Sequence, residues 1–266
     1  METEAMRVER DEDGVVVVTF SVPKTLNSMT ARFVDELGDV LEELGRDVTV
    51  RAIVLTGEGR GFSSGHDLAE MAGDTESLSI PAGYEVQNAY ARLIVRIKET
   101  PHPVIAAVNG VAAGGGLAIA LAADTRVCSE SARFNCAFVR LGISGCDVGM
   151  SYLLPRVVGP TLAFEMMMTG RLVAAQEALR NRLVLDVVPD GEVVEAAVRI
   201  ARDIVRNSPF AIRMTKQVMW ANLDAPSLQS AIELENRTQM VCVMTEDARE
   251  ALGAFVEKRR PAFRNR

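Results

Sequence analysis

The sequence predicts an α/β fold in which strands and helices alternate, closed by a helical C-terminal segment. Three observations carry this reading. Short β-branched or apolar runs recur at residues 15–20, 52–56, 103–108 and 125–128. Between them lie stretches whose apolar residues return at helical spacing, such as Phe33, Leu37, Leu41 and Leu44. After Asn207-Ser-Pro209 no strand pattern returns. Alternation of this kind defines the α/β class.

The elements follow in order. Val15-Val-Val-Val-Thr-Phe20 is β-branched and reads as a strand. Ser28 or Thr30 caps the helix that carries Phe33 to Leu44. Residues 52–56 form a second strand, ended by Gly57-Glu-Gly-Arg-Gly61. The stretch from Gly73 to Gly83 mixes Gly, Ser, Thr and Pro and reads as a mobile surface loop. A helix over residues 84–98 turns Val86, Tyr90, Leu93 and Ile97 inward. Residues 103–108 read as a buried strand, and 117–123, apolar all round, as a buried helix. A short strand at 125–128 precedes helices over 161–169, 174–181 and 192–206, with a strand at 184–188 between the last two. Beyond Pro209 the pattern is helical to Lys258. The faces formed by Leu228, Ile232 and Leu234, and by Leu252, Phe255 and Val256, have little following chain to cover them. They pack back on the main body or against another subunit.

Composition narrows the function. The 266 residues suffice for one large domain, or for one domain with a smaller appendage. Hydrophobic residues make up 48% and charged residues 24%, the balance of a globular chain. The net charge is −7 with no dense Lys/Arg stripe, which excludes a nucleic-acid footprint. No apolar run is long enough to span a bilayer, and Met1-Glu-Thr-Glu is no signal peptide, so a cytoplasmic location is expected. Cys128, Cys136, Cys146 and Cys242 lack CxxC pairing and read as reduced thiols, mostly in the core. With only two histidines, a His-rich metal centre is not expected.

The most informative stretch is Asn109-Gly-Val-Ala-Ala-Gly-Gly-Gly-Leu117, where a buried strand gives way to a buried helix. Three adjacent glycines there cost conformational entropy, so something must approach the backbone closely. Free N–H groups at a helix start, with the helix dipole behind them, stabilise a developing negative charge. An oxyanion site is therefore favoured over a tight turn that serves only helix–strand packing.

Further motifs stand in register with it. They are Pro23-Lys-Thr-Leu-Asn-Ser28, Gly61-Phe-Ser-Ser-Gly-His-Asp-Leu68, Pro103-Val-Ile-Ala-Ala-Val-Asn-Gly110 and Leu153-Leu-Pro-Arg-Val-Val-Gly159. Phe164-Glu-Met-Met-Met-Thr-Gly170 and the terminal Phe255-Val-Glu-Lys-Arg-Arg-Pro261 complete the series. In this order and spacing, the chain resembles the crotonase, or enoyl-CoA hydratase/isomerase, family over most of its length. The resemblance implies a spiral of ββα units over residues 1–207, carrying the acyl-CoA site. Residues 208–266 would form a helical trimerisation region, and the assembly would be a trimer or a hexamer of two trimers. It also implies a coenzyme A thioester as substrate, with no cofactor or metal. The family's two oxyanion N–H donors fall on His66 and Gly115. The coenzyme would lie along Lys24, Leu26, Ser64, His66, Asp67 and Leu68, with Phe138 and Lys258 also in contact with substrate.

The pattern breaks where proton transfer is expected. The resemblance places two glutamates at positions that here carry Ala118 and Phe138. Neither moves a proton, so a two-glutamate water addition cannot operate. One carboxylate remains nearby, Asp147 in Gly142-Ile-Ser-Gly-Cys-Asp-Val-Gly149. It falls near an aspartate of dienoyl-CoA isomerases and near the nucleophilic aspartate of 4-chlorobenzoyl-CoA dehalogenase. The segment from Phe138 to Asp147 is one residue longer than in either, and the dehalogenase's water-activating histidine falls at Ala91. The competing role for Asp147 is a helix N-cap. The His66 ring either packs against its loop or handles a proton, and His102 reads as structural. Arg140 either anchors an acidic substrate group or forms a surface salt bridge, and Asp67 and Asp124 read as local backbone caps. The expected function is an acyl-CoA enzyme of the hydratase/isomerase type, with Asp147 transferring the proton. The alternatives are an aspartate-nucleophile dehalogenase or thioesterase, and a non-catalytic acyl-CoA-binding hexamer.

Overall fold

All four β-branched or apolar runs form strands in the computed structural model, which describes residues 3–75 and 79–266. The chain opens with β1 (Met6–Arg10) and β2 (Val15–Phe20), then α1 (Ala31–Arg46), β3 (Ala52–Gly57) and β4 (Gly61–Ser63). Next come α2 (Leu68–Thr75), α3 (Ile80–Glu99), β5 (Val104–Val108), β6 (Val111–Ala113) and α4 (Gly115–Ala122). They are followed by β7 (Thr125–Ser129), β8 (Arg133–Asn135), α5 (Met150–Val158) and α6 (Pro160–Thr169). β9 (Val173–Ala174), α7 (Ala175–Arg180), β10 (Val187–Val188) and α8 (Val193–Val205) complete the body. The C-terminal helices are α9 (Pro209–Asn222), α10 (Leu228–Val243) and α11 (Glu246–Glu257).

A six-stranded sheet runs β1-β2-β3-β5-β7-β10, parallel throughout except for the β1/β2 pair. A four-stranded sheet runs β4-β6-β8-β9, its last pair antiparallel. Successive strand pairs β3/β4, β5/β6 and β7/β8 place one strand in each sheet before the chain returns through helices. This is the expected ββα spiral. The parallel strands are buried on both faces, so they read as continuous apolar runs rather than alternating ones. Ile53 and Leu55 of β3 face the main core under α1, α3 and α4, while Ala52 and Val54 face the layer covered by α8. The strands of the second sheet have only two or three residues, too short to leave a periodic signature.

Several expectations need correction. The stretch from Gly73 to Gly83 is not one loop: α2 runs to Thr75 and α3 begins at Ile80, with residues 76–78 outside the described residues. Ser79 starts α3 early, accepting from the Ala82 N–H, and a proline lies in the first turn. Val86 does not turn inward with Tyr90, Leu93 and Ile97 but stays exposed. The strand expected at 184–188 is only Val187–Val188. Of the four cysteines, only Cys128 and Cys136 are buried. Thr30 rather than Ser28 caps α1, accepting from the Phe33 N–H at 3.1 Å.

Asp124 is no local cap. Its carboxylate accepts the Val104 N–H at 2.7 Å and the Trp220 indole N–H at 2.8 Å, and it pairs with Lys216 Nζ at 2.9 Å. Lys216 and Trp220 belong to α9, so Asp124 ties that helix to the start of β5. His102 has the expected structural role, its Nε2 lying 3.0 Å from the Leu44 carbonyl oxygen. On α10 and α11, Leu228, Ile232, Leu252, Phe255 and Val256 are exposed.

Candidate active site

A cavity of about 550 Å³ opens where the loop 64–67, the α3 face, the start of α4 and the turn 137–141 converge. Ser64, His66, Asp67, Leu68, Gly115, Phe138 and Asp147 all reach its wall. Lys24, Leu26 and Lys258 do not. Lys24 is exposed on the turn Pro23–Thr25, which is tied to the loop because Ser64 donates to Leu26 through its N–H and to Thr25 through its hydroxyl. Lys258 ends α11 in the left-handed region, outside the cavity wall.

The glycine run has a separate reason at each position. Gly114 sits at φ 49 and ψ −118, a conformation open in practice only to glycine. A Cβ on Gly116 would lie 2.2 Å from the Ser63 carbonyl oxygen, so α4 packs against β4 backbone to backbone. Part of the run thus serves tight packing after all. Only Gly115 and Gly114 border the cavity.

Two N–H groups at this corner, those of His66 and Gly115, have no acceptor among the described residues. Met29 and His66 form a parallel bridge in which Met29 donates to the Gly65 carbonyl and Asp67 donates to the Met29 carbonyl. The His66 N–H therefore points away from that bridge and has no acceptor among the described residues. Gly115 is the first residue of α4, where an N–H has no intrahelical partner. A Cβ on Gly65 would stand 3.1 Å from Gly115 N, so the two loops lie against each other. A pair of unpartnered N–H groups at a helix start is a ready oxyanion-binding arrangement.

Asp147 is not the cap of α5. Gly149, in the left-handed region, takes that position without a side-chain bond, because Val148 (φ 39) turns the carboxylate away from the helix start. A β-branched residue at positive φ is strained, and strain of this kind is retained where neighbours over-determine it. Oδ1 of Asp147 accepts the Val148 N–H at 2.8 Å and a short hydrogen bond from the Gln87 amide. Oδ2 accepts no hydrogen bond from any described residue. Gln87 was not singled out in the sequence; it lies one helical turn before Tyr90, and that spacing is its only trace. Asp67 is a local cap as expected, accepting from Ala69 and Glu70 N–H groups and from Ser28 Oγ at 2.7 Å. The Ser28 bond and these N–H groups hold its carboxyl below the usual range.

The His66 ring stacks on Tyr90 with centroids 4.4 Å apart and meets the edge of Phe138. Burial pushes its pKa down, and the nearby Asp147 charge opposes this. Tyr90 is fixed in turn by its hydroxyl, which donates to the Met29 carbonyl at 3.1 Å. Ala118 is fully buried and off the cavity wall. Phe138 packs over Gly114, where a Cβ would meet its ring at 3.4 Å. Arg140 borders the cavity and has no ion-pair partner among the described residues, contrary to the surface salt bridge weighed for it.

Known proteins share this architecture along the whole chain. The enoyl-CoA hydratase/isomerase family model matches residues 10–266. A Mycobacterium bovis protein named as a probable enoyl-CoA hydratase is 40% identical over 96% of this chain and 91% of its own length. The 1,2-epoxyphenylacetyl-CoA isomerase of Escherichia coli K12 is 34% identical over 95% of each chain. The crystal structure of an enoyl-CoA hydratase from Bacillus anthracis superposes with a TM-score of 0.93 at 31% identity, covering 99% of this chain and 100% of that one.

Proposed function

Because the chain belongs to the enoyl-CoA hydratase/isomerase family, we propose that it isomerises an acyl-CoA thioester through an enolate. The thioester oxygen sits between the N–H groups of His66 and Gly115, which hold it as negative charge develops. Asp147 removes the α-proton and returns it at another carbon. The observation that carries this reading is the division of the Asp147 carboxylate at the cavity wall: Oδ1 is held by Gln87 and Val148, and Oδ2 accepts no hydrogen bond from any described residue. A single base that takes and returns one proton suffices for isomerisation. Hydration also needs a positioned water and a proton source, and Ala118 and Phe138 supply neither. The relatives include both named hydratases and a named isomerase, so the choice between the two reactions rests on the residues at the cavity.

The coenzyme would run along the turn holding Lys24 and Leu26 and the loop from Ser64 to Leu68, and no cofactor takes part. Residues 208–266 would serve assembly into trimers or hexamers, with the exposed apolar residues of α10 and α11 as the supporting observation. Two assays test the reaction. Wild-type protein should hydrate crotonyl-CoA slowly, because each missing acid–base group forfeits about 10²–10⁴-fold. Asp147→Asn should keep its affinity for a saturated acyl-CoA in calorimetry. Brisk hydration that survives Asp147→Asn contradicts the reading, and a covalent Asp147 adduct in intact-mass spectra would make Asp147 a nucleophile instead.

A further inference from the structure

We propose that the His66 side chain supplies a third hydrogen-bond donor to the oxyanion site, through its Nδ1–H. The inference rests on the acyl-CoA reading above and adds a donor that the main chain does not provide. The ring's placement carries it. A Cβ on Gly115 would stand 3.2 Å from His66 Nδ1 and 3.3 Å from Cε1, so that ring edge faces the residue bearing one of the two free N–H groups. The opposite nitrogen, Nε2, is buried and has no hydrogen-bond partner among the described residues. The ring cannot swing freely, since Tyr90 stacks on one face at 4.4 Å and is itself fastened to Met29.

The buried Nε2 decides the tautomer. A neutral imidazole carries its proton on one nitrogen and a lone pair on the other. Buried N–H groups without an acceptor are rare in proteins, rarer than buried acceptors that lack a donor. Keeping the lone pair on Nε2 and the hydrogen on Nδ1 therefore costs less than the reverse. That choice places an N–H beside Gly115, the residue whose main chain bears one of the two other proposed donors. Burial keeps the ring neutral, so the hydrogen bond adds stabilisation without placing a fixed positive charge beside the coenzyme. His66 would then act twice on the same oxygen, once by its main chain and once by its ring.

The chain has only two histidines, so the tautomers can be read directly. Two-bond ¹⁵N–¹H spectra of labelled protein at pH 8 should show His66 protonated on Nδ1. Adding butyryl-CoA should shift that Nδ1–H resonance while leaving His102 in place. His66→Phe keeps the stacking on Tyr90 and the main-chain N–H but loses the ring donor. It should lower kcat for α-proton exchange by about 10-fold or more with KM changed less than about 2-fold. His66→Asn, whose amide reaches the Nδ1 position, should recover part of the loss. An Nε2–H tautomer, an Nδ1 resonance unmoved by butyryl-CoA that calorimetry shows to bind, or wild-type kcat in a folded His66→Phe would each overturn the inference and leave the acyl-CoA reading standing. Absence of both butyryl-CoA binding and exchange in the wild type would defeat the reading and this inference together.

Discussion

At the scale of single residues, the cavity wall combines the proposed oxyanion donors with a carboxylate, Asp147, whose Oδ2 accepts no hydrogen bond from any described residue. Gly115 is the member placed beside both the His66 ring and Met29. A Cβ there would stand 2.7 Å from Met29 Sδ and 3.2 Å from His66 Nδ1, so valine would push the His66 ring and the start of α4 apart. Gly115→Val is expected to abolish turnover, checked by single-turnover kinetics with an acyl-CoA. The histidines make a separate pH prediction. Burial lowers the pKa of both His66 and His102 below the ordinary 6.5. Between 6.5 and those lower folded values the unfolded chain binds more protons than the native one. The stability they contribute is therefore complete above about pH 6.5 and falls as pH drops toward the folded pKa values. Urea midpoints measured from pH 8 to 5 should fall, and His66→Gln should flatten that slope. A midpoint rising across this range would reverse the sign assigned to the burial.

At the scale of elements, the sequence disclosed whatever repeats over many residues and hid whatever is short or held from a distance. The long helix α1 and strands β2, β3 and β5 announced themselves through apolar spacing and β-branched runs. The strands of the small sheet did not, because two or three residues carry no period. The Gly114–Gly116 run marks the helix start, and the structure separates Gly116, packed on β4, from Gly115, which borders the cavity and is the proposed oxyanion donor. Gly116→Ala should therefore damage folding first, costing about 1–3 kcal/mol or more through collision with the Ser63 carbonyl. The N-cap reading of Asp147 failed because a strained Val148 reverses the local geometry, a tertiary effect that spacing does not encode. Asp124 is not a local cap for a related reason: its partners are Val104, twenty residues earlier, and two α9 residues about ninety residues later in the chain. Lys216 is 8% exposed, so removing its counter-charge leaves a buried cation unpaired. Asp124→Ala should cost about 3 kcal/mol, read as a lowered urea midpoint, whereas an unchanged midpoint would show that α9 is held by other contacts.

At the scale of the whole molecule, the ββα spiral delivers three separate segments to one corner: the loop after β4, the start of α4 after β6, and the segment between β8 and α5. Each leaves the second sheet at the same end, which is why residues far apart in the chain meet in one cavity. The C-terminal helices stand outside this arrangement and expose Leu228, Ile232, Leu252, Phe255 and Val256. Apolar faces of that extent mark association surfaces, and closed symmetric assembly covers them economically. The protein is expected to sediment as a trimer or hexamer at micromolar concentration, and a monomer there would contradict that assignment. The central claim concerns chemistry, and deuterium exchange tests it most directly. A saturated acyl-CoA incubated with wild-type protein in D₂O should gain deuterium at its α-carbon, followed by NMR, and Asp147→Asn should lose that exchange while still binding the ester. Exchange undiminished in Asp147→Asn, or none in the wild type despite binding, would contradict the account.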